Sequence, residues 1–98
     1  MNIVYQTQNI NTPAIVSAAT ALAVNADRRG WSIQNIGTNP LFVRLGSGAS
    51  TTVFHFICKA GTAQDDGTGG SINQTEGVVF TGLISIAGTA PRYVVMEM

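Results

Sequence analysis

Apolar and polar residues alternate in short runs along most of this chain, and clusters of Gly, Asn, Pro and Asp separate the runs. Period-two runs of this length, broken by turn residues every 8–12 positions or so, are the sequence sign of a β-sandwich or barrel. In "RGWSIQNIG", Trp31 and Ile33 fall on one face and Ser32 and Gln34 on the other, as a half-buried strand requires. Asn39-Pro40 marks a turn, after which "LFVRLG" places Leu41, Val43 and Leu45 inward and Phe42 and Arg44 outward. Residues 29–45 therefore read as a β-hairpin, with Gly37 in the turn available for positive φ.

"TVFHFIC" continues the pattern, with Val53, His55 and Ile57 on one side and Phe54, Phe56 and Cys58 on the other. Both faces are apolar, which points to burial on both or to burial on one and a partner on the other. Beyond a Gly-rich stretch come "GVVF", "GLISIAG" and "RYVVMEM". In the second, Ile84 and Ile86 alternate with Ser85 and Ala87; in the third, Tyr93, Val95 and Glu97 oppose Val94, Met96 and Met98. The last run is expected to be an inner strand.

Two segments resist a simple reading. In "PAIVSAATALAV" (13–24), Thr12 as N-cap, Pro13 as first helical residue and several alanines suit a helix. Against this, Val16, Ala18, Thr20, Leu22 and Val24 alternate cleanly, and an all-β chain needs a partner for its first sheet, so a strand is favoured. Residues 1–12 hold Ile3, Val4 and Tyr5 ahead of a polar stretch, too short an alternation to promise a core strand. They read as a frayed terminus or as an extended arm that orders on a neighbouring subunit. The expected organisation is thus an N-terminal arm (1–12) and one β-sandwich domain (13–98).

Composition narrows the function. A chain of 98 residues makes one domain and buries somewhat more than about 60% of its unfolded surface. Five basic and five acidic residues balance, so nothing favours nucleic acid or an anionic membrane. The charged fraction of 10% is low for a soluble domain. An exterior so poor in charge suggests cover by other chains, and hence an oligomer. Residues 1–12 lack the basic and apolar regions of a secretory signal, and 14–24 is too short to span a bilayer, so a soluble, non-exported protein is expected. Cys58 is the only cysteine, which rules out an intrachain disulfide and suggests a small buried side chain.

No motif completes a chemistry. "AGTAQDDGTGGS" (60–71) sets two acids among glycines, but aligned on a calcium loop with Gly67 at position six it supplies Thr62, Gln64, Asp66 and Asn73, one charged ligand without the closing Glu. A phosphate loop needs Lys then Ser or Thr after the second glycine, and G-x-G-x-x-G is not completed. The stretch reads as a flexible loop, so deleting Asp65 to Gly69 is expected to leave the fold intact. His55 has no second metal ligand at suitable spacing and no nucleophile–base partner. Arg28 and Arg29, just before the strand that carries Trp31, read as solvated, or as side chains that pair with a carboxylate or stack on an aromatic, and stand as candidate interface residues; Trp31 itself reads as a core residue. No enzyme, cofactor, metal or small-molecule substrate is expected.

Three stretches, "RRGWSIQNIGTNPLFVRLGSGAS", "FHFICKAGTAQDDGTGGSI" and "GLISIAGTAPRYVVMEM", together resemble a family of small virion proteins of tailed bacteriophages. The likeness runs from about Arg28 to Glu97 and rests on turn and strand signals. It implies a jelly-roll-like antiparallel β-sandwich carried on the phage particle, as a capsid decoration (cement) protein or as a tail, neck or fibre-base component. The decoration reading further implies a homo-oligomer, a trimer for choice, bound to the major capsid protein at the capsid surface. Its candidate interface residues are Ile3, Val4 and Tyr5 of the arm with Arg28 and Arg29. A carbohydrate-binding module using Trp31, Tyr93 or the 60–71 loop is the competing reading from another class.

Overall fold

The computed structural model describes residues 4–9 and 15–97, which form eight strands and, among the described residues, no helix. The strands are β1 (Val4–Asn9), β2 (Ile15–Leu22), β3 (Trp31–Asn35), β4 (Leu41–Leu45), β5 (Phe56–Cys58), β6 (Ser71–Gln74), β7 (Ile84–Thr89) and β8 (Arg92–Glu97). They make two four-stranded sheets, β1-β8-β3-β6 and β2-β7-β4-β5, in which every pairing is antiparallel. The expected all-β, antiparallel sandwich is what forms.

Pairing is nested. β1 bonds β8, β2 bonds β7, β3 bonds β6 and β4 bonds β5, while β3–β8 and β4–β7 contacts knit the two halves of each sheet together. Only the β4–β5 connection stays within one sheet; every other connection crosses between sheets. The registers put the β2–β3, β4–β5 and β6–β7 connections at one end of the sandwich, where Trp31 faces Glu97 and Gln74, and Leu22 and Leu45 both face Ile84. The β3–β4, β5–β6 and β7–β8 connections lie at the other.

Several sequence readings change at this level. Residues 29–45 are not a hairpin, because β3 pairs with β8 and β6 whereas β4 belongs to the opposite sheet. Alternation reports which face of a strand is apolar and is the same whether the next strand lies alongside or across the core. The segment 13–24 resolves as a strand over Ile15–Leu22; Pro13 and Ala14 lie outside the described residues. The arm boundary also moves: Val4–Asn9 pairs along its whole length with Arg92–Glu97, so six of the twelve residues belong to the sandwich. "GVVF" forms no strand, and "TVFHFIC" is a strand only from Phe56. β8 is an inner strand, as its apolar run suggested.

The core lies between the sheets. Trp31, Ile33, Tyr93 and Val95 face Leu22, Leu41, Val43, Cys58, Ile84 and Ile86, all buried. Each large aliphatic side chain so covered contributes about 1.5–3 kcal/mol. Polar groups in the core are bonded, as their burial demands: Gln74 Oε1 accepts from Trp31 Nε1 and from the Phe80 amide, both at 2.9 Å. β7 is buried on both faces, which explains why Ser85 and Ala87 are as covered as Ile84 and Ile86. The 46–50 segment folds over Ser85, whose hydroxyl donates to the Gly46 carbonyl at 2.6 Å and accepts from the Ala49 amide at 3.1 Å.

Candidate functional site

Of the interface residues expected from sequence, Arg28 is withdrawn. Its side chain is fully covered, and Nε donates to Glu97 Oε1 at 3.1 Å. The remaining N–H groups donate to the carbonyls of Phe80, Gly82 and Ala23 at 2.9, 2.9 and 2.6 Å. A guanidinium has five donors in a fixed plane, which suits it to gather several loop carbonyls at once. Asn25 Nδ2 adds a bond to the same Glu97 oxygen at 2.7 Å. Arg28 therefore ties the β2–β3 and β6–β7 connections to the end of β8 and has no surface to offer a partner. Arg29 is exposed beside it, and Val4 pairs with Glu97, so parts of the expected set do converge on this end. Ile3 lies outside the described residues. Val4 and Tyr5 are placed by backbone pairing in β1.

The 60–71 stretch is a built loop, contrary to the flexible connector expected. Asp66 accepts from the Thr62 hydroxyl at 2.7 Å, the Thr68 hydroxyl at 2.6 Å and the amides of Ala63 and Thr68 at 3.0 and 2.9 Å. These donors hold its carboxyl down at about 2, with Thr62 and Thr68 the main cause. Asp65 makes a two-point bond to Arg92 at 2.8 Å for each contact, which lowers its own pKa and raises that of Arg92. Its backbone sits at φ 62 and its amide donates to the Ile36 carbonyl at 2.8 Å. Both carboxylates are thus spent on the protein itself, leaving none directed at a ligand.

The loop also packs on the fold. A Cβ at Gly69 would collide with the Asn35 carbonyl oxygen, and one at Gly70 would meet the Lys59 amide nitrogen at 2.7 Å. Asn35 is the buried organiser of this end. Its Nδ2 donates to the carbonyls of Asn39 at 2.8 Å and Cys58 at 3.1 Å, and its Oδ1 accepts from the Gly37 amide at 2.9 Å.

The other side chains singled out for chemistry are structural in their geometry. His55 Nδ1 accepts the Leu45 amide at 3.0 Å, taking the place of a ladder carbonyl where β5 departs from β4. Cys58 is buried, which pushes its thiol up to about 11, and burial pushes Tyr93 up to about 12. Trp31 and Tyr93 are both fully covered, so neither presents a face for stacking on a sugar. Among the described residues no three His, Cys, Asp or Glu side chains group as metal ligands.

The feature that residue motifs did not single out is the outer face of the β2-β7-β4-β5 sheet. Five large apolar side chains are exposed among the described residues, and three of them, Val53 (42%), Phe54 (36%) and Ile57 (54%), lie within five positions of one another. Ser50 builds this surface: its hydroxyl accepts the Thr52 and Val53 amides at 3.2 and 2.9 Å, and its backbone closes a tight turn with Val53. The turn lays Phe54 on Phe42, ring centroids 5.1 Å apart, beside Ile57, the register partner of Phe42. Phe54 thereby joins the Ile57 side and not the Phe56 and Cys58 side that strict alternation gives. Arg44 lies on the same outer face; its Nε is buried without a hydrogen-bond partner among the described residues. The double-sided hydrophobicity of "TVFHFIC" was the one sequence signal pointing here.

No family model, curated protein or solved structure matches this chain.

Proposed function

We propose that this chain is a bacteriophage structural protein, a capsid decoration (cement) protein that binds the assembled shell as an oligomer and stabilises it from the capsid surface. The observation that carries this reading is the exposed apolar cluster of Val53, Phe54 and Ile57, with Phe54 laid on Phe42, at the outer side of the β4–β5 pair. Contiguous exposed apolar residues rimmed by polar ones mark protein contact, and here a dedicated turn holds them outward. The nested order β1-β8-β3-β6 over β2-β7-β4-β5 supports a jelly roll, the double Greek key common in capsid and lectin domains. The resemblance of Arg28–Glu97 to small virion proteins supports the setting, and the charge-poor composition supports assembly. Stabilisation then follows from binding the assembled lattice more tightly than its free subunits.

Mixing the protein with purified shells tests the reading. Saturable binding with gain of heat resistance is expected, together with a trimeric mass in solution. Failure to bind removes the proposal, and a handful of copies per particle replaces it with a tail, neck or fibre-base adaptor.

A further inference from the structure

We infer that the outer face of the β2-β7-β4-β5 sheet is the docking surface for a chain segment of another protein that presents apolar side chains together with a carboxylate, the carboxylate pairing with Arg44. The apolar half of this recognition is the Phe42, Val53, Phe54 and Ile57 surface already described. The charged half follows from how the chain distributes its acids. Asp27, Asp65, Asp66, Glu76 and Glu97 all lie in the 23–30, 59–70 and 75–83 connections or at the end of β8. The four strands of this sheet and the 46–55 segment folded over it contain no acid at all, yet they carry Arg44 and His55.

Arg44 is the second observation. Both other arginines with described partners, Arg28 and Arg92, are bonded to carboxylates, whereas Arg44 Nε is buried and unbonded among the described residues. Arg44 thus has no carboxylate of its own among the described residues, and because the residue as a whole is only partly buried, the rest of its guanidinium is what a partner's carboxylate would meet. A second copy docked symmetrically through the same face would set Arg44 against an equally acid-free surface that carries another Arg44 and supplies no carboxylate for it, which disfavours that arrangement. The occupant that fits is therefore a different surface, apolar with an acid in it. This deepens the docking reading above and rests on it for where the partner is found, on the shell, but not for the partner's chemistry.

The test has two arms. In the first, the peptides Ac-Leu-Glu-Leu-Glu-Leu-NH2 and Ac-Leu-Gln-Leu-Gln-Leu-NH2 are titrated into the protein and followed by amide NMR shifts. The acidic peptide is expected to move the signals of Arg44, Phe54 and Ile57 and to bind at least about tenfold more tightly than the neutral one. Arg44→Gln should abolish that preference, and Ile57→Ser should weaken both peptides, each variant keeping the wild-type shift pattern in the core. No shifts on this face, or equal response to the two peptides, overturns the inference. In the second arm, binding to purified shells is compared for wild type, Arg44→Gln and Ile57→Ser. Unchanged binding by both variants overturns the inference and leaves the shell reading standing. Peptide binding by a protein that ignores shells overturns the shell reading alone. Conversion of an oligomer to monomer by Ile57→Ser makes a second copy the occupant and overturns the inference.

Discussion

Arg28 Nε and Glu97 Oε1 lie 3.1 Å apart although 69 residues separate them in the chain. Arg28 is fully covered and Glu97 partly so at the end of the sandwich, and the same guanidinium holds three loop carbonyls, so two connections and the last strand depend on one side chain.

Arg28→Ala is therefore expected to cost about 2–4 kcal/mol, because it leaves three loop carbonyls without their donor and takes from Glu97 its only cation among the described residues. Arg29→Ala, at an exposed neighbour, should change stability by no more than about 0.5 kcal/mol. Urea unfolding of the two variants reads the difference, and equal losses would contradict the roles assigned to them.

The 60–71 loop gives a second contrast. Gly69→Ala drives a methyl against the Asn35 carbonyl and should cost at least about 1–3 kcal/mol. Deleting Asp65–Gly69 removes the Asp66 hydrogen bonds and the Arg92 partner together, so it should lower the melting temperature more than Gly69→Ala does. Thr75→Ala, in another exposed connection, serves as the neutral control. A deletion variant that melts like wild type would return the loop to the status of a passive connector.

Acid should weaken the fold through this loop. Asp66 titrates at about 2 in the folded chain against an ordinary 3.8, and Asp65 is shifted in the same direction by Arg92. A depressed folded pKa means stability present in full above the unfolded value and lost as pH falls from about 4 toward about 2. Melting temperatures measured from pH 6 to pH 2 should drop over that window, and Asp66→Asn should start lower and fall less. Identical slopes for the two proteins would rule the carboxylate out as a source of acid sensitivity.

Cys58 offers a readout of opening. Burial pushes its thiol up to about 11 and covers it, so at pH 8 it holds far less reactive thiolate than an unfolded cysteine. Labelling with a disulfide reagent at pH 8 should be slow in buffer and fast in urea, with the rate in buffer rising in Arg28→Ala. Rapid labelling of the native protein would place the thiol at the surface.

Period-two alternation carried the fold class and much of the core: Trp31, Ile33, Leu41, Val43, Ile84, Ile86, Tyr93 and Val95 all point inward as their spacing requires. What alternation does not encode is which sheet a strand joins, so the passage from β3 to β4 looks like a hairpin on paper. The 46–55 segment failed for a different reason. The Ser50 turn and the His55 ring shift the phase of the strand, moving Phe54 to the outer side, and hydrogen bonds of that kind leave no periodic trace. Arg28 does pair with a carboxylate, one of the readings its sequence allows, but a buried cation and an interface or solvated one are the same letter; Glu97 and the three carbonyl acceptors, all distant or non-periodic in sequence, set it inside. The outer docking face was half visible, in a run of residues apolar on both sides.

Nested pairing also bears on how the chain finds its shape. The innermost pair, β4 with β5, closes a connection of residues 46–55, whereas the outermost pair, β1 with β8, joins segments at opposite ends of the chain. Loop-closure entropy grows with the length enclosed, and non-local pairings slow folding. If β4–β5 forms first, each further pair encloses only the short stretches added since the last one, so zipping outward is the entropically cheapest route. On that route the Ser50 turn is the nucleus, and the segment that displays the apolar surface is the one that organises everything folded after it.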